Sequence, residues 1–339
     1  ANPSIDLTKL ALEVTLTEGA NISPDPARVM DYSHPQKFTV TSEDGNWHKE
    51  YSVIIDTFDL PLRYDFEHYE LNETGKYQVF FEETQGTALF KQYIWASGNS
   101  GFALTGVGRN PQEYPTVSIE NGIDGSRAIK LETKSTGQFG ETVKMPIAAG
   151  NLFLGSFDVN NAVQKPLKAT RFGLPFGKKP LQLKGYYKYT PGTQPFKAKD
   201  KNGNTVTIPG QEDEGDIYAV LYEAAELDGK ALDGNNVLTS EYIVALARVE
   251  VEKKDEFTAF HVDFHYGSRI PIDWPKFIRD QRDPSDDGTG EYWPFKEEKM
   301  KNYEYNLAVV FTSSKYGAYF AGSVGSTLCI DKVEIVCEK

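Results

Sequence analysis

The chain has 339 residues, a net charge of −13 and only two cysteines. The acidic balance argues against a nucleic-acid partner, because phosphate binding needs concentrated Lys and Arg, and two cysteines do not make a disulfide scaffold. No apolar run reaches the ~18 residues of a membrane helix, and residues 1–10 show no signal peptide. Aromatic residues make up 13% of the chain, which allows a sizeable core.

Residues 1–57 carry the pattern of a small set of β-strands. Apolar residues alternate from Phe38, the chain turns at Asp44-Gly45, and a second alternating run leads to Ile55. Two such runs around an Asp-Gly turn predict a hairpin. Pro61 then opposes further strand pairing, so residues 58–63 are predicted to be a linker.

Residues 64–339 are dominated by two-residue periodicity, which is typical of β-strands. One face of residues 243–251 holds only aliphatic side chains, and apolar side chains alternate across 260–266. Many short strands separated by Asn-Gly and Asp-Gly turns predict a sandwich or barrel. The polar segment 192–215 is predicted to be a long loop or a protruding hairpin, and a short helical turn is predicted near 292–300.

The stretch PLQLKGYYKYTPG, residues 180–192, holds three tyrosines within four residues. Side chains of a strand alternate between its two faces. Tyr187 and Tyr189 then share a face with Leu181 and Leu183, and we predict that they are core residues. Tyr186 lies on the other face between lysines, where it is open to a ligand or to an ordinary cross-strand contact.

The two cysteines, Cys329 and Cys337, lie in one apolar run, LCIDKVEIVC. In a continuous strand they would be roughly 26 Å apart, at ~3.3 Å per residue. A disulfide needs Cα atoms within ~7 Å. We therefore expect two free, buried thiols.

Seven segments of the large region resemble a known family, and they occur in that family's order. They are YDFEHYEL, YIWASGNSGF, GSRAIKLETKSTGQFG, AAGNLFLGSF, TRFGLPFGKKPLQLKGYYKYTPG, DIYAVLYEA and SSKYGAYFAGSVGSTLCIDKVEIVC. Residues 64–339 thereby resemble the "putative carbohydrate metabolism domain" family of Bacteroidetes surface lipoproteins. The phrase FTVTSEDGNWHKEYSV resembles the small immunoglobulin-like domains that often precede such modules.

The resemblance implies an all-β chain with an immunoglobulin-like domain at 1–57, a linker at 58–63 and a jelly-roll β-sandwich at 64–339. That sandwich is expected to be like those of carbohydrate-binding modules. The implied setting is polysaccharide utilisation at the cell surface, on an outer-membrane lipoprotein or in a periplasmic or extracellular protein. The front domain would be a spacer, and contact with a membrane would come only through an N-terminal lipid anchor that lies outside this sequence. The resemblance carries no catalytic residues with it.

Sugar recognition needs flat rings against the C–H face of a pyranose and planar polar groups for its hydroxyls. Several aromatic residues near loops suit the rim of a sandwich, although core packing is an alternative for Trp95 and an ion pair is an alternative for Arg171. The candidate ligand-binding residues are Trp274, Trp293, Tyr292, Tyr186, Arg171 and Trp95.

Two patterns raise the question of a metal. His261, Asp263 and His265 alternate along one predicted strand and would suit a transition metal, although they would splay rather than converge. Acidic loops leave open a structural calcium ion, with solvated loops as the alternative. The acidic candidates are Asp283, Asp286, Asp287 and Glu291 in one run, and Glu212, Asp213, Glu214 and Asp216 in another. No other cofactor is expected.

The resemblance and these patterns together leave three functions open. The leading one is non-catalytic binding of a polysaccharide or oligosaccharide at the bacterial surface. A glycoside hydrolase or lyase would instead need two carboxylates facing each other in a concave groove. A structural or adhesive subunit would present a flat face to surface protein partners.

Overall fold

The computed structural model describes residues 3, 5–28, 30–55, 57, 59–84, 90–227, 230–282 and 288–338. The chain forms two compact units, Ala1–Leu60 and Pro61–Lys339. The division falls inside the segment that the sequence predicts to be a linker.

The first unit contains a three-stranded antiparallel sheet. Its strands, in spatial as in chain order, are β1 (Asn21–Ser23), β2 (Gln36–Thr41) and β3 (His48–Val53). β2 and β3 form the predicted hairpin, with Phe38 opposite Tyr51. Phe38 is buried, whereas its cross-strand partner Tyr51 is 42% exposed. In the turn, Asp44 accepts a hydrogen bond from the backbone N–H of Asn46 at 3.0 Å.

The second unit is built on two antiparallel sheets that form a sandwich, and the all-β class predicted from the sequence is confirmed. Within the described residues, the first sheet contains β4 (Arg63–Tyr64), β10 (Thr116–Ile119), β11 (Ala128–Glu132), β17 (Pro180–Thr190), β22 (Lys254–Asp263) and β25 (Thr327–Cys337). Its spatial order is β10-β11-β25-β17-β22, with β4 paired to β25.

The second sheet carries the longest stretches of fully buried strand. In the described part of the chain it contains β9 (Trp95–Ala96), β14 (Asn151–Phe157), β15 (Thr170–Phe172), β16 (Leu174–Pro175), β20 (Asp216–Glu223), β21 (Ile243–Val249), β23 (His265–Tyr266) and β24 (Tyr305–Thr312). Its order is β15-β14-β24-β20-β21-β23; β16 pairs with β24, and β9 pairs with β14.

Short hairpins and helices connect these sheets. The hairpins are β5 (Tyr69–Leu71) with β6 (Gln78–Phe80), β7 (Glu82–Thr84) with β8 (Phe90–Gln92), β12 (Lys134–Ser135) with β13 (Ile147–Ala148), and β18 (Lys197–Lys199) with β19 (Thr205–Thr207). The last of these is the hairpin predicted within 192–215. The helices are α1 (Asn99–Ala103), α2 (Gly137–Thr142), α3 (Lys276–Arg279) and α4 (Glu297–Lys301). No helix in the described ranges has the length and hydrophobicity needed to span a bilayer.

The alternation predicted for the tyrosine stretch is confirmed along most of β17. Tyr187 and Tyr189 are 4% and 2% exposed, whereas Tyr186 is half-buried on the opposite face. The ring of Tyr187 lies 6.0 Å from that of Phe260 on the neighbouring strand. Leu181 departs from the prediction and is exposed, because the pairing with β25 shifts between Pro180 and Gln182.

The strand predicted to carry both histidines is interrupted. His261 and Asp263 end β22 in the first sheet, whereas His265 begins β23 in the second sheet. The backbone N–H of Phe264, between the two strands, donates to the carbonyl of Leu181 at 2.9 Å. The prediction of one strand that carries all three side chains is therefore wrong, since the chain changes sheets between them.

Both cysteines lie on β25 and are free. Cys329 is buried, as predicted, and Cys337 is half-buried. Burial raises the pKa of each thiol to about 11, so both are thiols rather than thiolates at neutral pH.

Replacing Tyr187 with Ala should lower the free energy of unfolding by about 3–5 kcal/mol, because it empties a core site that an aromatic ring fills. Tyr186→Ala, one residue earlier, should cost less than about 1 kcal/mol, because that ring is on the outer face. Urea unfolding of both variants measures the difference. Equal losses would contradict the assignment of the two faces.

Candidate functional site

A cleft of about 200 Å³ lies over the outer face of the second sheet. Side chains alternate along β20, so Tyr218 shares this face with Asp216, while Ile217 points to the sandwich interior. The floor consists of Phe153, Tyr218 and Val310 from three adjacent strands. The walls come from α1, α2 and segments of the connecting loops, so the strands fix the floor and the loops shape the opening.

An ion pair crosses the cleft floor. The Nε and Nη2 atoms of Arg248 donate to the two carboxylate oxygens of Asp216, at 3.0 and 2.6 Å. Arg248 and Asp216 keep only 17% and 3% of their side-chain surface exposed. Burial alone would lower the pKa of Arg248, but the Asp216 carboxylate outweighs it and raises that pKa. The guanidinium therefore stays charged, and both oxygens of Asp216 are engaged.

Most other polar side chains around the cleft are also engaged with the protein itself. Asn151 uses both ends of its amide, accepting from the N–H of Gly98 at 2.8 Å and donating to the carbonyl of Ala149 at 3.3 Å. The remaining engaged side chains are Thr105 with Phe102, Thr136 with Met145, Asn235 with Asp233, Arg282 with Thr239, Thr312 with the Ser314 carbonyl, Ser314 with Asp213 and Lys315 with Glu214.

Trp274 lines the cleft. Its ring packs beside Tyr316, and the Arg282 guanidinium lies 4.3 Å from the ring centroid, within cation–π distance. The indole Nε1 is buried and has no acceptor among the described residues. A buried donor without an acceptor costs about 1–3 kcal/mol, and a ligand that supplies an acceptor would recover that free energy.

The acidic run 212–216 is divided between several partners. Asp213 is 2% exposed, and its Oδ2 accepts from Ser314 Oγ, from the N–H of Ser323 and from Ser326 Oγ, all within 2.7 Å. Asp216 faces Arg248, and Glu214 pairs with Lys315. Burial raises the pKa of Asp213 to about 6, against the lowering effect of these hydrogen bonds. The run does not converge on one point.

The structure places Trp293 and Tyr292 outside the cleft lining. The Nε1 of Trp293 donates to the buried carboxylate of Glu223 at 2.7 Å, and Lys299 pairs with the same carboxylate. Tyr292 is 6% exposed, with the Arg269 guanidinium 5.3 Å from its ring centroid. Both rings are held by neighbours within the protein.

The other three candidates are spread over the second unit. Trp95 is 4% exposed and meets Tyr64 edge to face at 5.0 Å between centroids. Arg171 is exposed and pairs with Asp158 at 3.3 Å. Tyr186 lies on the outward face of the first sheet. Of the six candidates, the structure brings Trp274 to the cleft and places the rest elsewhere.

The acidic candidates for calcium are mostly outside the described residues, because Asp283, Asp286 and Asp287 fall in the undescribed segment 283–287. Glu291 is described and exposed, and its carbonyl accepts from Arg269 at 3.2 Å. Across the described residues, no three His, Cys, Asp or Glu side chains are grouped as a metal site.

The sequence patterns did not predict the ion pair between Asp216 and Arg248. They also did not predict the apolar wall of the cleft. The pair is separated by 32 residues in sequence and meets through the register of β20 with β21, where Tyr218 is opposite Arg248. A local spacing pattern does not predict a contact between residues that are this far apart in sequence. A charged residue inside the aliphatic run 243–251 was the available signal, because a charge in a buried strand needs a partner.

Comparison with known proteins gives a consistent result. Residues 65–336 match the family model described as "Putative carbohydrate metabolism domain". Residues 2–55 match the model "SGBP, N-terminal", the first domain of surface glycan-binding proteins. No curated protein matches the chain.

Two solved structures cover most or all of the chain. A protein of Bacteroides thetaiotaomicron VPI-5482 is 41% identical, with a TM-score of 0.78, over 100% of this chain and 89% of its own. A protein of Bacteroides vulgatus ATCC 8482 is 34% identical, with a TM-score of 0.64, over 83% of this chain and 100% of its own. Each of those two is described as a "putative glycoside hydrolase".

The burial of Asp213 predicts a pH dependence of stability. Its pKa in the folded protein is about 6, above the ordinary value of 3.8, so its contribution to stability is complete below about pH 4 and is lost as the pH rises through about 6. The shift corresponds to at most about 3 kcal/mol. Denaturant unfolding from pH 4 to pH 7.5 should show wild-type protein losing stability relative to Asp213→Asn, whose side chain cannot ionise.

Glu212→Gln is the matched control, because Glu212 is an exposed neighbour in the same acidic run. Its stability should follow that of the wild type at every pH. Parallel curves for wild type and Asp213→Asn would contradict the raised pKa.

Proposed function

The chain belongs to the "putative carbohydrate metabolism domain" family, and we propose that it binds a polysaccharide or oligosaccharide at the bacterial surface without cleaving it. The observation that carries this proposal is the cleft over the second sheet, with Trp274 in its lining. Concave, mostly apolar clefts with a few placed polar groups are typical ligand sites.

Trp274 would make the main contact with a sugar. An indole ring packs against the C–H face of a pyranose, and its N–H donates to an oxygen. The Arg282 guanidinium against the ring and the neighbouring Tyr316 hold the side chain in place before a ligand arrives. A ring already held in position loses little conformational entropy on binding.

The first unit supports the surface setting, since it matches the N-terminal domain of surface glycan-binding proteins. We propose that it is a spacer between the sandwich and the cell envelope, on a protein carried by an N-terminal lipid anchor in the outer membrane. Neither a cofactor nor a nucleic acid has a part in this function.

Binding without cleavage is favoured by the acids of the cleft. Hydrolysis of a glycoside needs two carboxylates, one to protonate the leaving oxygen and one to attack or to activate water. Among the described residues that line the cleft, Asp216 supplies the only carboxylate, and Arg248 engages both of its oxygens. The described lining therefore offers no second acid for the reaction.

Hydrolysis remains the second candidate because of Glu82, outside the cleft lining. Burial raises the pKa of Glu82 to about 7, the range of a general acid. The carboxylate accepts from Trp95 Nε1 at 2.8 Å, and the nearby charge of Asp65 adds to the raised pKa.

Trp274→Ala should weaken binding at least tenfold, about 1.4 kcal/mol, because it removes the ring and its donor. The full chain is first screened on a glycan array, and the affinity of the best ligand is then measured by titration calorimetry. Tyr186→Ala is the control on the other sheet and should leave affinity unchanged. No binding to any glycan would overturn the proposed function, and a loss confined to Tyr186→Ala would place the site on the first sheet.

Incubating the best ligand with excess protein should release no new reducing ends or unsaturated products, as measured by chromatography of the ligand. Product formation would favour hydrolysis or elimination instead. Abolition of that product in Glu82→Gln, with ligand binding retained, would then place the chemistry at Glu82.

A further inference from the structure

The cleft has an extensive apolar wall. Phe139 of α2 and Val143, the residue that follows the helix, are four residues apart and so lie on one side of the turn, and Phe139 is 42% exposed. Met145, Phe157 and Leu167 continue the lining. An exposed phenylalanine that borders a cavity offers contact area to an apolar group of a ligand.

The described polar side chains of the cleft spend much of their hydrogen-bonding capacity within the protein. Asn151, Asp216 and Arg248 already have partners within the protein, as do most other polar side chains of the lining. A sugar hydroxyl that loses water here without a new hydrogen bond would weaken binding by about 1–3 kcal/mol. The lining therefore selects against an unmodified sugar face.

Trp274 provides the complementary feature, a buried indole N–H with no acceptor among the described residues. Leu167 and Tyr319, which also line the cleft, belong to the apolar cluster that Trp274 joins. The group that suits this arrangement has an acceptor oxygen next to a small apolar end. An acyl group has both, because its carbonyl accepts and its methyl is apolar.

We propose that the cleft binds an acylated sugar, in which the carbonyl oxygen of an acetyl ester or acetamide accepts from Trp274 Nε1 and the methyl packs on the apolar wall. The inference rests on the proposed function and specifies its ligand class. The cleft volume of about 200 Å³ is below the roughly 300–1,000 Å³ of clefts that enclose drug-sized ligands. It suits one sugar unit with its substituent rather than a length of chain.

Two matched pairs of ligands test the proposal with the full chain. Chitohexaose and cellohexaose share a β-1,4 backbone and differ at C2, where an acetamido group replaces a hydroxyl. Acetylated xylan and the same xylan after alkaline de-esterification differ in O-acetyl groups. In at least one pair, calorimetry or affinity electrophoresis should show the acylated member binding at least tenfold more tightly. The first pair reports an amide ligand and the second an ester.

Trp274→Phe tests the donor, because phenylalanine keeps a ring and lacks the N–H. In the ligand pair that shows a preference, Trp274→Phe should bring the ratio of the affinity for the acylated ligand to that for the unacylated ligand toward one. Phe139→Ala should also reduce that ratio. Trp47→Phe is the matched control, since Trp47 is 52% exposed in the first unit, and it should leave the ratio unchanged. Circular dichroism and thermal unfolding establish that each variant is folded.

Equal affinity within both pairs, or a best array ligand without an acyl group, would overturn the acyl inference and leave glycan binding intact. An acyl preference that survives both Trp274→Phe and Phe139→Ala would overturn the assignment to this cleft. Absence of binding to every glycan would remove the proposed function and the inference together.

Discussion

Burial on both faces of the second sheet is the constraint on which the candidate site depends. An antiparallel sheet commonly leaves one face to water, yet every residue of β20 is buried. Its inner side chains, such as Ile217, are directed to the sandwich interior, so the outer face needs a separate cover. Leu232 and Val237, which come from a loop, belong to the same buried apolar cluster as Tyr218 and form part of that cover. The cleft is the space that this cover leaves open over the sheet.

The same constraint determines the chemistry of the cleft floor. Asp216 and Arg248 lie on a buried face, where an isolated charge would be strongly unfavourable. Their two-point pairing neutralises the floor, and removing one partner of such a pair costs about 3–5 kcal/mol because the other is left buried and charged. Neither side chain is free to turn toward a ligand. Among the described residues of the wall, Trp274 has a buried indole N–H without an acceptor, which suits a selective polar contact.

The sequence predicts the parts of this protein that depend on local periodicity. Alternation placed Tyr187 and Tyr189 in the core and Tyr186 outside it, and the structure agrees. Alternation failed at Leu181, where a shift in strand pairing reverses exposure, and at His265, where the chain passes to the other sheet. Both failures come from pairing between distant strands, which a local pattern does not contain.

For the same reason, Trp274 is the one predicted sugar-binding residue that lies in the cleft. Trp274 could be singled out because it stands in a polar, loop-like segment, where an aromatic ring is conspicuous. Phe139, Leu167 and Arg248 resemble ordinary core or strand residues, and only the fold brings them to one cleft. Trp95 and Trp293 share the loop signals of Trp274, but each indole N–H meets a carboxylate of the protein itself. What distinguishes Trp274 is the absence of an acceptor among the described residues, a property that depends on three-dimensional neighbours.

Engagement of the described polar groups supports both proposals for the cleft, binding without cleavage and a preference for a modified sugar. A general acid or nucleophile must exchange its hydrogen-bond partner during a reaction. The two hydrogen bonds from the Arg248 guanidinium hold both carboxylate oxygens of Asp216 and oppose such an exchange. The same internal pairing leaves few donors for a sugar hydroxyl, so a hydroxyl-rich face gains little from entering. A group that is apolar except for one acceptor loses little on desolvation and can accept from the indole N–H of Trp274, which has no acceptor among the described residues. A cleft built in this way favours ligand selection over chemistry.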